Sequence, residues 1–580
     1  MADGTEGAKR LRARVRAHLD FIYGESEAKE IVEPIIDAMR YGPSLSEPEP
    51  YQNYWDESDC WLITYATSIQ EPDEPGLRTL KRFCDNHLSD AINGVHVLPF
   101  YPYSSDDGFA IVDYVSVDDK AGDWEDVNEL AKDYRLMADF VLNHGSSQSQ
   151  WFQNFINRTD PGKDYYKETS PDEDVSRVIR PRSTPLRIKV ETKDGDRWLW
   201  CTFGPDQIDY DFGNPKVLLE FVRIMRFYLE QGVRVFRMDA VAFLWKEPGT
   251  TSMHDQRTHE IIKLFRTLVD FYDPSTILIT ETNVPNRDNL TYFGNANEAH
   301  AIYNFSLPPL LINALVTGDC RHLKTWMMSL PPARYGTAYL NFIASHDGIG
   351  LRPTAGLLSL GERDRLIDTL SSFGGNVSMR TGPDHAPEPY EMNISLIDAL
   401  AGTTEGPDEF QLARFECAHA IMLALLGIPA VYIHSVLGTP NDNERVAQTG
   451  QYRSINRRRW SLEDLEALLS DPRSLQAQAF DRITTLLKLR RKQKAFHPNA
   501  IQFTMQLGLE IFGVWRQSND REQSIFSISN VTKEVRELAL ENVNLFSNER
   551  WTDLISGVEI QEGQKSLRLE PYQTVWLSNQ

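Results

Sequence analysis

For its length the chain has little cysteine. Five residues, Cys60, Cys84, Cys201, Cys320 and Cys417, are scattered over 580 positions. There is no CxxC pair and no His/Cys cluster, so neither a zinc site nor a disulfide framework is expected. Long apolar runs are missing too. No stretch of about 18 apolar residues occurs, which argues against a membrane span. The N-terminal MADGTEGAKRLRARVRAHLDF lacks the apolar core of a signal peptide, so a cytoplasmic location is expected. Positive charge is short: 60 Lys and Arg face 83 Asp and Glu, a net charge of −23. Nucleic acid and anionic membrane both require clustered Lys and Arg, and neither is an expected partner. A phosphate-handling site here would need its own local Arg cluster. Internal repeats and low-complexity segments are also absent.

What is present is a globular composition, 41% apolar and 11% aromatic. Val15, Leu19, Ile22, Ile31, Ile35, Ile36 and Met39 recur at helical spacing, and Pro43 to Pro50 breaks the pattern. From Cys60 a strand-then-helix rhythm begins. Candidate strands are Trp61–Tyr65, Val95–Phe100, Leu136–Leu142, Val233–Asp239, Ile277–Glu281, Ala301–Phe305, Tyr339–Ser345 and Pro429–Ile433. Helical segments such as Leu218–Gln231 and Ile261–Phe271 separate them. Eight such units predict an α/β fold, a closed parallel (β/α)8 TIM barrel.

Two gaps are too long for one helix. Residues 145–210 predict a subdomain inserted after strand three. Residues 347–410, with GGNVSMRTGPDHAPEPYEMN, predict long loops over the barrel mouth after strand seven. From 499 the period changes to two, in Leu509–Trp515, Ser524–Ser529 and Tyr572–Leu577, which predicts a C-terminal antiparallel β-domain over 499–580. The expected division is a helical extension over 1–57, a barrel over 58–144 and 211–498, and these additions.

The strand ends carry the chemistry. In Val233–Asp239 an apolar run closes on Arg237-x-Asp239, placing two charges at the tip of a buried strand, where they must be paired or used. Taken alone, a structural ion pair explains them equally well. Strand two is followed by Ser105-Asp106-Asp107-Gly108-Phe109, strand three by Asn143-His144, strand five by Glu281 and strand seven by His346-Asp347. In a parallel barrel all of these share one rim, the one that bears active sites. Two carboxylates flanking a glycosidic bond are what glycoside cleavage needs, one attacking the anomeric carbon and one protonating the leaving oxygen. A third stabilises a cationic transition state. Arg237 is expected to keep Asp239 ionised, and burial at the end of Ile277-Leu278-Ile279-Thr280 to raise the Glu281 pKa.

Asn143-His144, Arg237-x-Asp239, Glu281 and His346-Asp347 together resemble the four signature regions of the α-amylase family of glycoside enzymes, and the likeness runs over roughly 58–580. It implies Asp239 as nucleophile, Glu281 as general acid/base and Asp347 as transition-state stabiliser. Asp106, Phe109, His144, Arg237 and His346 match positions that grip the glucosyl ring, and Gln207 joins them as a substrate-binding candidate. HDGIG at 346–350, DAVAFLWKEPGT at 239–250, FSLPPLL at 305–311, RPRSTP at 180–185 and RSINRRRW at 453–460 resemble the sucrose phosphorylase subgroup. Members of that subgroup hold inorganic phosphate with two Args, at positions matched by Arg182 and Arg453. Paired guanidinium groups suit that task, since phosphorolysis replaces water by phosphate as the attacking species. The remaining Args of 457–459 read as a solvated basic turn.

Two positions depart from the subgroup: Phe243 replaces a Tyr and Asn283 replaces a His. Both lie near the acceptor or phosphate, which counts against sucrose. DAVAFLWKEPGT, ETNVPN and SHDGIGLRP look like the branch containing glucosylglycerate phosphorylases, with glucosylglycerol phosphorylases as near relatives. A glycerate carboxylate needs a cation, and Arg352 or Arg380 could supply it. The alternatives are phosphorolysis of sucrose or sucrose 6′-phosphate, hydrolysis or transglucosylation on the same carboxylates, and a non-catalytic amylase-like interaction module. The expected small molecules are a sugar substrate and inorganic phosphate. The resemblance implies no cofactor and no metal, although amylases often bind calcium near the inserted subdomain through an Asn like Asn143. A homodimer is compatible with the reading.

Overall fold

The computed structural model describes residues 6–42, 45, 48–49, 52–382, 386–543, 545 and 549–580. Pro43 and Pro50, the ends of the expected helix break, lie outside them.

Eight parallel strands close a barrel: β1 Trp61–Thr64, β2 Gly94–Val97, β3 Arg135–Val141, β4 Val233–Asp239, β5 Ile277–Thr280, β6 Ala301–Tyr303, β7 Ala338–Asn341 and β8 Ile428–Tyr432. All eight fall where the sequence predicts strands. The runs are mostly apolar and not alternating, because both faces are covered, by the barrel interior and by the surrounding helices. In β5 all four residues are buried. Gly94 allows β2 to close on β1, since a Cβ there would stand 2.4 Å from the Trp61 ring.

Helices α1 (Glu6–Tyr23) and α2 (Glu25–Met39) precede the barrel. They bury Leu11, Val15, Leu19 and Ile22, then Val32, Ile35, Ile36 and Met39, against the helices Pro215–Glu230 and Gln256–Tyr272. Polar contacts fix the seam, including His18 Nδ1 to Glu260 at 2.6 Å and Tyr41 Oη to the Leu268 carbonyl at 3.0 Å. At the other end of the chain a five-stranded antiparallel sheet runs Ile501–Thr504, Ile511–Gln517, Ser524–Asn530, Thr574–Ser578, Thr552–Asp553. Its period-two pattern splits two cores: Trp576 joins the barrel core, while Val575 and Leu577 join a separate cluster with Phe526 and Trp551.

Two excursions shape the barrel mouth. The one after β3 is closed at its base by an antiparallel ladder, His144–Ser146 on Gln207–Asp209. That ladder places Gln207 beside His144, 63 residues away in sequence. Between them lie the helix Gln150–Asn157 and the hairpin Arg187–Thr192/Gly195–Trp200. The excursion after β7 is not made of loops alone, as its Gly and Pro content suggested. It holds the helix Leu360–Ser372 and a hairpin, Asn376–Thr381 on Pro387–Asn393, whose second strand also pairs with Ile349–Gly350. Leu366, Leu370 and Met392 give these pieces a buried face, which Gly and Pro counts do not register.

The first excursion is pinned by a buried ammonium. Lys246 Nζ lies 3.2 Å from Asp209 and donates to Asn143 Oδ1 at 2.8 Å. Asp209 is fully buried and also accepts from the Thr202 amide and hydroxyl. Removing one partner of a buried ion pair leaves the other charged and unpaired. Lys246→Met is therefore expected to lower the unfolding free energy by about 3–5 kcal/mol in denaturant titration. A loss below about 1 kcal/mol, the scale of a single neutral hydrogen bond, would show that Thr202 alone satisfies Asp209.

Candidate active site

The carboxyl end of β4 sets the site. Register pairs Arg237 with Asp139 of β3 and with Ile279 of β5. The Arg237 guanidinium is buried, bonded by Nη1 to Asp139 and to Asp239 Oδ1, the latter at 2.7 Å. Its Nη2 stands 4.0 Å from Glu281 Oε1. The rings of Phe109 and Tyr303 lie 5.7 and 5.5 Å from its central carbon. Ala240, directly after Asp239, takes a left-handed conformation with φ 49°. Such strain at a non-glycine residue is found where function holds it. Here it aims the Ala240 amide at Glu281 Oε2, 3.0 Å away.

Over these groups opens a cavity of about 670 Å³. Asp239, Glu281 and Asp347 all line it, together with Asp106, Phe109, His144, Gln207 and His346. Arg182, Arg453, Phe243, Asn283 and Arg352 complete the predicted residues on its wall. Arg237 touches it from behind, through Asp239. Arg380 is the exception. It sits across the hairpin from Glu388 and pairs with that carboxylate at 2.6 Å, so it is satisfied away from the wall. Of the two cations expected to meet an acceptor carboxylate, the structure brings Arg352 to the cavity and not Arg380.

The carboxylates differ in their surroundings. Burial pushes both Asp239 and Glu281 up, with Arg237 opposing. Arg237 favours the charged form of Asp239, as the sequence suggests, but burial works against it and Asp139 shares the same guanidinium. Asp347 is different. Burial works against its charge, but Arg453, with Arg237 and Arg457 farther off, holds it well below the usual carboxylate range. Arg453 Nη1 is 2.6 Å from Asp347 Oδ1, and its other nitrogens grip Glu391 at 2.7 and 2.8 Å.

The imidazoles are neutral. Burial lowers His144 to about 4 and His346 well below the usual value. His144 Nε2 is 3.1 Å from the Phe109 carbonyl, which only accepts, so Nε2 carries the proton and Nδ1 faces the Asn143 amide at 3.2 Å. Phe109 stacks on His346 with centroids 5.1 Å apart, forming a flat apolar wall. Gln207 reaches Asp106 at 3.3 Å. Asn283 stands against Gly350, where a Cβ would come within 2.8 Å of the amide.

Several functional residues escape the sequence reading. Asp139 and His96, bonded at 2.7 Å, lie inside strands and not past their ends. A charge in the middle of an otherwise apolar β3 was the available signal. Glu391 and Tyr390 come from the hairpin after β7. Arg457 is not part of a solvated turn: it is 3% exposed, donates to the His346 carbonyl at 2.9 Å and to Asp107 at 2.8 Å. Nothing local in RSINRRRW distinguishes Arg457 from its exposed neighbour Arg459.

Residues 90–348 match the family described as alpha amylase, catalytic domain. The chain is 38% identical over 570 residues to glucosylglycerate phosphorylase of Escherichia coli (strain K12), covering 98% of this chain and 100% of that protein. It is 29% identical to sucrose phosphorylase of Agrobacterium vitis, covering 81% and 94%. The solved structure of sucrose 6F-phosphate phosphorylase from Thermoanaerobacter thermosaccharolyticum superposes with a TM-score of 0.72 at 22% identity, over 88% of this chain and 98% of that one. A buried Arg-x-Asp tip, a second carboxylate on the next strand and a third on the rim, on a barrel shared with these proteins, place the chain in the alpha-amylase family, among its glycoside phosphorylases.

Proposed function

We propose that the protein is a retaining phosphorylase of an α-glucoside of glycerate, releasing α-D-glucose 1-phosphate and free glycerate. The observation that carries this reading is the pair Arg182 and Arg352. Both line the cavity, and among the described residues neither has a carboxylate partner. Arg182 lies over the Phe203 and Tyr390 rings at 5.6 and 6.0 Å, and Arg352 rests on Met253. Both are half-buried, and a guanidinium on a cavity wall with no carboxylate partner is free to take an anionic ligand. Arg453, the other phosphate candidate, is already held by Asp347 and Glu391. Three full-length relatives named glucosylglycerate phosphorylase, at 36% to 38% identity, favour the same acceptor.

In the proposed first step an Asp239 oxygen attacks the anomeric carbon while Glu281 gives its proton to the glycosidic oxygen, and glycerate leaves. The direct Arg237 contact at 2.7 Å favours the charge on Asp239, leaving the proton of the pair on Glu281, 4.0 Å away. Asp347, ionised throughout, faces the oxocarbenium-like transition state. In the second step a phosphate oxygen attacks the glucosyl–Asp239 ester, Glu281 accepts the phosphate proton, and Asp239 is released. Glycerate and phosphate occupy the same region in turn. Both are anions, so Arg182 and Arg352 serve both half-reactions, which a neutral acceptor such as glycerol or fructose would leave half used.

Asp239→Ala is expected to form no glucose 1-phosphate, and detectable product from that variant rules out the nucleophile assignment. Glu281→Gln is expected to lose roughly 10²–10⁴ of the rate on a glucoside with a poor leaving group, yet keep most of the rate of first-turnover fluoride release from α-glucosyl fluoride, a step that needs no proton. The same pair sets the alkaline side of the pH profile. Its proton is held above the usual carboxylate range, so the rate with the ordinary glucoside falls as pH rises through the raised value. In Glu281→Gln acting on the fluoride this descending limb is expected to vanish; its persistence would assign the proton elsewhere.

Arg352→Ala tests the acceptor. In the synthetic direction, with glucose 1-phosphate as donor, the apparent affinity for glycerate is expected to fall about 10- to 100-fold, the worth of a charged hydrogen bond. Use of glycerol should change far less. Equal losses for both would refute a carboxylate contact at Arg352.

A further inference from the structure

A second cavity, of about 530 Å³, lies beyond Asp107 and shares no lining residue with the first. Its wall comes from the ends of β1 and β2 and from the segment after β8. Five cations line it, Lys120, Arg445, Arg457, Arg458 and Arg459, against two carboxylates, Asp107 and Asp118. In a chain of net charge −23 such a concentration of positive charge runs against the global field.

The pairing is incomplete. Asp107 is shared by Arg457 at 2.8 Å and Arg445 at 3.5 Å. Among the described residues Lys120, Arg458 and Arg459 have no ion pair, and Arg458 lies 4.1 Å over the Trp460 ring. Buried donors with no acceptor gather on the same wall: the Tyr65 hydroxyl, Arg445 Nε and Arg457 Nη2. Nη2 has only a distant ion contact, 3.9 Å to Asp347. Buried polar groups are nearly always satisfied, so several exceptions around one basic cavity point to a missing acceptor.

We infer that this cavity is a binding site for a phosphate-class oxyanion, separate from the catalytic one. Guanidinium and ammonium groups converging from several elements suit a tetrahedral dianion with several acceptor oxygens. Inorganic phosphate and a phosphate monoester present the same oxygens to these donors. Arg457 connects the two cavities. Its Nε holds the His346 carbonyl on one side, and Nη1 holds Asp107 on the other.

The test is equilibrium dialysis with labelled inorganic phosphate, using the intact chain. Two equivalents are expected for the wild type. One is expected for Lys120→Ser/Arg459→Ser, whose residues are exposed and touch nothing in the catalytic cavity. Phosphorolysis by that double variant at saturating phosphate should stay within about twofold of wild type, since no transition-state contact is removed. Arg182→Ala should lose the other equivalent. Glucose 6-phosphate, added as competitor, distinguishes the sources: displacement of only the Lys120-dependent equivalent identifies a monoester site, and no displacement identifies a site for inorganic phosphate. A double variant that still binds two equivalents overturns the inference, as does a wild type whose single equivalent is lost in Arg182→Ala. If instead the double variant loses one equivalent while Arg182→Ala keeps both, this site stands and the proposed catalytic phosphate contact falls.

Discussion

The site depends on how one buried guanidinium divides its charge. Arg237 faces three carboxylates, Asp139, Asp239 and Glu281, inside a barrel that excludes water. One cation cannot keep three buried anions ionised at low dielectric. Asp139 takes the largest share: burial opposes its charge, but Arg237 and His96 together hold it below the usual range. His96, buried and neutral, completes Asp139 as a donor and adds no positive charge. Arg237 is thereby nearly spent on a residue at the back of the site. The Asp239/Glu281 pair is left short of counter-charge, and burial pushes both groups up. Burial is the main cause at both strand tips, and Asp139, buried mid-strand, adds to it at Asp239.

The third carboxylate is held mainly by other cations, although Arg237 reaches it as well. Asp347 has its own cations, Arg453 at 2.6 Å and Arg457 at 3.9 Å, supplied by the segment after β8. Glycosyl transfer through a covalent intermediate needs a proton available on one side and a fixed anion beside the developing positive charge. Had all three acids shared one Arg, they would titrate together and neither condition would hold across a range of pH. Two Arg groups from opposite sides of the rim keep the functions apart.

How much of this was legible in the sequence follows from the range of the interactions involved. The barrel strands could be read because each is a short apolar run whose burial is written locally. The rim residues Asp106, His144, Arg237, Glu281 and Asp347 could be read because a parallel barrel places every strand end on one face. What failed depended on pairing across the fold. The Arg380–Glu388 pair is a cross-strand register that Gly and Pro content hid, and it removed Arg380 from the site. Arg457 and Arg459 stand two residues apart in a basic run, and only the position of Asp107 and the His346 carbonyl buries one and leaves the other exposed. Asp139 was visible as a charge in β3, but its consequence required knowing which strand faces it.

The two excursions turn a glucosyl site into one with a defined partner. The first carries Arg182 and Phe203 over the cavity, and its base is fixed by the Lys246–Asp209 pair. The second carries Arg352, Tyr390 and Glu391. Glu391 is the decisive residue of the group, because its bidentate grip, with Asp347, occupies Arg453. A guanidinium held by two carboxylates is a poor anion receptor, since a ligand would have to displace one of them. In the proposed reading, anion binding on this wall therefore falls to Arg182 and Arg352. Phe243, where a hydroxyl would otherwise compete for an oxygen ligand, keeps that part of the wall apolar and packs on Phe203 at 5.6 Å. Under the proposed reaction, the guanidinium groups left without a carboxylate are the ones that would meet the departing acceptor and the incoming phosphate. An enzyme whose two exchange partners are both anions can use one pair of cations for both, and that economy favours glycerate over an uncharged acceptor.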